Sequence, residues 1–263
     1  MTSMYHRFLD LHARDELFIM PNPWDVGSAK ILASLGFAAL ATTSSGHAAT
    51  LGRHDQNVSR EELVDHVAAM TAAADVPFNV DSERLFAATV AGIGETIALL
   101  ARVGAAGCSI EDYDPATGTI DPIDLATERV AAAVTACRGR MVLTARAENF
   151  LYGVADLGDT IERLISFAAA GADCVYAPGL TDLEDIATVV LEVGVPLNVL
   201  VMPGGPTIDQ LADVGVRRVS TGGALAWAAY GAMAAGAREL LGQGTSRFTR
   251  GALSSDDRRA FDG

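Results

Sequence analysis

At 263 residues, half of them apolar, the chain can bury a sizeable core and lacks the low hydrophobicity that keeps a chain disordered. Lys and Arg number 19 against 33 Asp and Glu, a formal charge of −14, which excludes the basic face that nucleic acid or an anionic membrane surface would need. Small anionic substrates stay open, because a metal ion and a few arginines can reverse the local field.

Cys108, Cys137 and Cys174 give neither a disulfide framework nor zinc spacing; Cys108 and Cys174 read as small buried hydrophobes. The N-terminus lacks a signal-peptide apolar run, and no stretch of about twenty apolar residues spans a membrane. The expected compartment is a reducing cytoplasm.

Short apolar runs alternate along the chain with stretches of helical periodicity. The first run, 17–22, leads into a helix over 25–36 that carries Lys30, the sole lysine. The second, 37–44, leaves through Thr43-Ser44-Ser45-Gly46-His47 into a loop bearing Asp55; His47 reads as a loop histidine. Ser59 caps a helix over 59–74. The run 77–81 ends in Asp81-Ser82-Glu83-Arg84, before a helix over 89–104. Glu111-Asp112 ends the run 107–112, before a helix over 122–138, and Arg146-Ala147-Glu148-Asn149 ends 141–147, before one over 159–170. The runs 174–178, 196–201 (with Asn198) and 217–221 alternate with helices over 182–193, 207–214 and 224–241, with Thr181 and Thr207 read as caps. Gly36, Gly104, Gly171, Gly194 and Gly215 each stand between a helix and the next strand.

Eight strand–helix units without strict polar alternation predict a parallel sheet covered by helices, best closed as a single-domain α/β (β/α)8 TIM barrel over 1–242. A doubly wound open sheet is the alternative, weakened by the lack of G-x-G-x-x-G after the first strand. The polar tail 243–263 is expected to be partly disordered or to lie on a neighbouring subunit.

Catalytic groups of such a barrel collect where strands end. Alternation along an extended strand puts Asp81 and Glu83 on one face and Arg84 on the other. Two bare carboxylates about 4 Å apart repel by roughly 4 kcal/mol at an effective dielectric near 20. One must keep a proton, or a cation must sit among them. Three adjacent strands deliver Asp81, Glu83, Glu111, Asp112 and Glu148 to one mouth. Oxygen donors without a histidine cluster suit a hard ion such as Mg²⁺ better than zinc. Arg146 either grips a substrate carboxylate or phosphonate in a two-pronged hold, or pairs internally with Glu111 or Glu148. Ser45-Gly46 offers a hydroxyl and a backbone N–H as an oxyanion cradle.

With these motifs in order, the chain resembles the isocitrate lyase/phosphoenolpyruvate mutase superfamily, in particular its small single-barrel members, over about residues 15–242. The likeness runs through "PNPWDVGSAKILASLGFAAL", "TTSSG", "VDSE", "SIEDYD", "TARAEN", "AAGADCVYAPGL" and "VPLNVL". It implies Mg²⁺, with Mn²⁺ as a substitute, bound through Asp81 with Glu83 and Glu111 around it. It implies Asp55, Arg146 and Glu111 as catalytic residues, and Ser45, Gly46, Arg146 and Asn198 holding a small anionic 2-oxo acid. The implied reaction is a lyase-type C–C cleavage, decarboxylation or hydrolysis through an enolate on an oxaloacetate-like substrate. The implied assembly is a homo-oligomer, tetramer or dimer, in which the apolar segment 223–237 is covered.

The chain departs from the family's pattern at Arg84-Leu85-Phe86, where its members usually carry Gly-Tyr or Gly-x-Gly. It departs again in "YDPATGTIDPID", which lacks the Lys-Lys-Cys-Gly-His gating loop of isocitrate and methylisocitrate lyases. Three alternatives follow: a phosphonopyruvate-type P–C mutase or hydrolase, a phosphate-handling barrel using "MPGGP" and "STGG", and a non-catalytic metal-binding barrel. Lys30, on the first helix, argues against a Schiff-base aldolase.

Overall fold

The computed structural model describes residues 3–262. Eight strands form one all-parallel sheet: β1 (Phe18–Met20), β2 (Leu40–Ala41), β3 (Phe78–Val80), β4 (Gly107–Glu111), β7 (Val142–Arg146), β8 (Cys174–Tyr176), β9 (Leu197–Leu200) and β10 (Arg218–Ser220). A separate antiparallel hairpin, β5 (Tyr113–Asp114) and β6 (Thr119–Ile120), sits in the loop after β4. The sheet order is β1-β10-β9-β8-β7-β4-β3-β2. Its two ends meet where the Ala41 N–H donates to the Pro21 carbonyl at 3.1 Å and the Asn22 amide donates to Thr42 O at 2.7 Å. The result is a (β/α)8 barrel.

The helices are α1 (Met4–His12), α2 (Val26–Ser34), α3 (Ser44–Thr50), α4 (Arg60–Ala73), α5 (Ile93–Arg102), α6 (Ile123–Cys137), α7 (Leu157–Ala169), α8 (Leu183–Val193), α9 (Ile208–Asp213) and α10 (Ala224–Gln243). The five punctuating glycines adopt φ from 73° to 102°, which lets each helix turn straight into the next strand. Ser59 and Thr207 close capping boxes with Glu62 and Gln210. At α8 the cap is Asp182, whose carboxylate accepts two N–H groups, so the expected Thr181 cap is corrected by one residue.

Two helices were illegible in the sequence. α1 lays the fully buried Phe8 against Met20, Ala106 and Val142 and covers that part of the barrel. α3 begins where a strand was expected: Thr43 caps it by accepting the Gly46 N–H. The tail is not loose within the described residues. Turns over Arg247–Gly251 and Asp257–Phe261 pack on α10 and α2 of the same chain, with Phe248 seated over Gly236.

Candidate active site

Arg146 leaves the end of β7 opposite Glu111, its register partner at the end of β4. Its Nη1 donates to Asp81 Oδ1 at 2.7 Å and lies 2.9 Å from Glu111 Oε1; its Nε donates to Glu148 Oε1 at 2.6 Å. The guanidinium stands 5.0 Å above the Tyr176 ring, a cation–π distance. Both roles foreseen for Arg146 start from this point: it pairs internally with Asp81, Glu111 and Glu148 and it also faces the cavity. Burial opposes its charge, but Glu111, Glu148 and Asp81 hold the guanidinium protonated well above its usual range.

One cation does not satisfy these acids. Burial pushes the Glu111 carboxyl well above its usual range, against Arg146 and with Glu148, Asp81 and Glu83 adding to the rise. Glu148 is pushed up to about 7, again chiefly by burial, and its buried Oε2 has no hydrogen-bond partner among the described residues. Asp55, in the loop after α3, is raised by burial and then by Asp81. Asp81 is held from its other side, where Oδ2 accepts the Ser44 N–H at 2.9 Å.

These groups line a cavity of about 160 Å³ at the strand ends, space for on the order of ten waters. Ser45, Asp55, Asp81, Glu111, Arg146, Glu148 and Asn198 all face it. Two expected residues do not. Gly46 sits behind the wall: its N–H donates to Thr43 Oγ1 at 3.3 Å, and a Cβ there would lie 2.6 Å from Thr43 Cγ2, so only glycine fits this close packing. Glu83 lines a neighbouring cleft with Gln56, Val58 and Phe86.

The placement of Glu83 corrects the alternation argument. β3 stops at Val80, and the chain turns at once: the Leu85 N–H donates to Ser82 O at 2.8 Å. Glu83, Leu85 and Phe86 all take left-handed φ of 48°, 59° and 51°. Such backbone costs on the order of 1–3 kcal/mol per residue and persists only where the surroundings enforce it. Here the Arg129 guanidinium donates to Arg84 O and Ala87 O at 3.0 Å each, and Thr96 donates to Leu85 O. Glu83 nonetheless stays within the field of the mouth. Burial, then Asp81 and Asp55, push its carboxyl up to about 8.

Arg84 does point away from Glu83, toward Asp121 at 2.5 Å and Asp114 at 3.5 Å. Leu85 is fully buried in the core. The departure at residues 84–86 therefore braces the β5–β6 hairpin and leaves the cavity wall to others. Asp112 also drops out of the mouth. As Glu111's neighbour it takes the opposite face, where Oδ1 accepts the Glu148 N–H at 2.8 Å and Oδ2 accepts from Arg163 at 3.1 Å.

Other cavity residues escaped the sequence reading. Asn22 Oδ1 accepts the N–H groups of Thr221 and Gly222, both at 2.9 Å, which ties the exits of β1 and β10 together. Gln56, Tyr152, Tyr176 and Arg218 also line the cavity. Asn22 stood in plain view at a strand exit, and Arg218 shares the inward face with Ser220; neither carried a charge pattern that singled it out. His47 lies in α3 rather than a loop, stacked on His66 at 3.8 Å.

A parallel barrel with acids gathered at its strand ends has the form of a barrel enzyme's mouth, and the comparisons with known proteins give its class. The family model for phosphoenolpyruvate phosphomutase matches residues 8–241. The chain belongs to that family, within the isocitrate lyase/phosphoenolpyruvate mutase superfamily. It is similar to a structure of a candidate lyase/mutase from Burkholderia cenocepacia J2315, with 46% identity and a TM-score of 0.94 over 99% of this chain and 96% of that one. It is 34% identical to the uncharacterised protein Rv1998c of Mycobacterium tuberculosis over 82% of this chain and 81% of the relative. It is 30% identical to an oxaloacetate decarboxylase of Paraburkholderia xenovorans over 87% of this chain and 76% of the relative.

Proposed function

We propose that the chain is a Mg²⁺-dependent lyase that cleaves, decarboxylates or hydrolyses a small oxaloacetate-like 2-oxo acid. The observation that carries this reading is the imbalance at the mouth: Arg146 alone meets Asp81, Glu111 and Glu148, while Asp55 and, from the adjoining cleft, Glu83 lie within their field. Raised carboxyls in a cleft mark a site poised for a cation or a proton. The likeness to an oxaloacetate decarboxylase points to the same substrate class.

The donor set fits Mg²⁺. It is all oxygen, and buried Glu148 Oε2 lacks a partner among the described residues. Among the described residues no three His, Cys, Asp or Glu side chains stand together as a metal cage; a Mg²⁺ ion there would take one or two carboxylates and keep several waters. In this reading Asp81 would hold the ion, with Glu111 and Glu83 close to it. When bound, Mg²⁺ supplies Lewis-acid stabilisation of the developing enolate oxygen.

The chain's own residues do the rest. Arg146 and the Ser45 hydroxyl hold the carboxylate of the 2-oxo acid, and Asn198 hydrogen-bonds its far end. Asp55, which stays protonated further up the pH scale than a free aspartate, gives or takes the proton at the substrate carbon. Tyr152 at the rim and Leu151 beside it limit the entry of water.

We also infer a cytoplasmic homo-oligomer, dimer or tetramer. Three unpaired buried cysteines suit a reducing compartment, and the exposed Trp227, Met233, Leu240 and Leu241 of α10 suit burial against another copy. The reading is tested by turnover of oxaloacetate and related 2-oxo diacids. Chelation with EDTA is expected to abolish it and Mg²⁺ to restore it. Metal-independent turnover, or wild-type rates in Asp81→Ala, would sink it.

A further inference from the structure

Barrel interiors are commonly filled by branched apolar side chains. Here the layer beneath the acids is polar, and at its centre lies Arg218 on β10, 1% exposed. Among the described residues this guanidinium forms no ion pair. Its Nε donates to Asn198 Oδ1 at 2.8 Å, its Nη2 to Thr144 Oγ1 at 2.9 Å, and its Nη1 lies 3.0 Å from His12 Nε2. His12 Nδ1 lies 2.8 Å from the Phe8 carbonyl, which can only accept. The proton is therefore on Nδ1, and Nε2 is the acceptor for Arg218.

The chain of bonds has a direction. Phe8 O fixes the His12 tautomer, His12 and Thr144 fix the Arg218 fork, and Arg218 fixes the Asn198 amide. With Oδ1 taken by Arg218 and one N–H given to Ser220 Oγ at 2.9 Å, Asn198 keeps a single N–H for the cavity it lines. Without Arg218 the amide could rotate and present its oxygen, which repels an anion. An unpaired buried cation is expensive to keep. Its position under the acids gives it a use, since it sets a positive potential at the floor where Asn198 awaits an anionic ligand.

We propose that Arg218, oriented by His12, is a positioning residue that locks the Asn198 amide as a donor and so sets the affinity of the cavity for a carboxylate ligand. The inference rests on the 2-oxo acid reading for the kind of ligand, though it requires binding alone and no turnover.

The test is calorimetric titration of oxalate, in the presence of Mg²⁺, into the full-length protein and its variants. Arg218→Met is expected to weaken oxalate binding at least tenfold. In an Asn198→Ala background the same change is expected to cost less than twofold, because the effect passes through Asn198. Arg218→Lys keeps the charge without the fork and is expected to resemble Arg218→Met; it also serves should Arg218→Met not fold. Arg217→Met, at an outward neighbour that pairs with exposed Asp15, is the control and is expected to change nothing. A folded Arg218 variant that binds oxalate within twofold of wild type overturns the proposal. So does an effect undiminished without Asn198, or a wild-type protein that ignores oxalate. Oxalate binding that depends on Arg218 through Asn198, without turnover of any 2-oxo acid, upholds this inference and rejects the lyase reading.

Discussion

Two arginine-centred clusters draw their acids from neighbouring positions, as Glu111 and Asp112 show, and they differ in their charge balance. Behind the mouth, Arg84, Arg129 and Arg163 meet Asp112, Asp114, Asp121 and Asp159. Asp121 accepts from Arg84, its carbonyl accepts from Arg163, and its N–H donates to Asp112 O at 2.7 Å. At the mouth, the single Arg146 meets Asp81, Glu111 and Glu148, with Asp55 on the cavity wall and Glu83 in the adjoining cleft, and the carboxyls Asp55, Glu83, Glu111 and Glu148 are all raised. Three arginines against four aspartates, two of them part-exposed, come near to balance and hold loops in place, although burial still pushes Asp112 up to about 6. Unmatched charges leave a place for something to bind.

The sharpest way to break the comparison is to remove each central arginine. Arg146→Met is expected to lower kcat/KM at least a thousandfold and to destabilise the fold by about 3–5 kcal/mol, since it strands three buried carboxylates. Steady-state kinetics and urea unfolding check both. Arg84→Met should cost a similar order of stability, since Asp121 would keep only the 4.0 Å contact to Arg129, yet leave kcat within a few-fold. A thousandfold loss of kcat in Arg84→Met at unchanged secondary structure would erase the distinction between the clusters.

A smaller effect belongs to the histidines. His12 titrates near 3 in the folded chain, mainly through burial and then through Arg218, against about 6.5 when unfolded. His66 is likewise lowered to about 3, by burial and then by His47. Both take up a proton more readily after unfolding. Their contribution is therefore complete above about pH 6.5 and is lost as pH falls toward 3. Unfolding free energies measured from pH 7 to 4 should fall, and less steeply in His12→Leu once its own lower baseline is subtracted. The smallest effect is at the surface. Arg60→Gln, which breaks half-exposed pairs with Glu61 and Glu95, should change stability by less than about 0.5 kcal/mol.

The barrel was legible because its punctuation is local: a helix, a glycine and a strand repeat along the chain, and each glycine solves a backbone problem at its own position. Arg146, Asp81 and Glu111 were legible because they end strands. Glu83 was misplaced because alternation holds only while the strand continues, and the turn that ends β3 depends on Arg129 from a distant helix. The helix that opens at Ser44 was hidden because the Thr43 cap also looks like the end of a strand. Arg218 and His12 were invisible for a different reason. Their partners come from α1, β7, β9 and β10, and no local pattern announces a bond across the barrel.

The central claim is that the acids around Arg146 form a site for a divalent cation. Calorimetric titration of Mg²⁺ into the wild-type protein and Asp81→Asn tests it most directly. Saturable binding with a rise in melting temperature is expected for the wild type, and loss of both in Asp81→Asn. Equal binding by the two proteins, or no binding by a folded wild type at millimolar Mg²⁺, would contradict it.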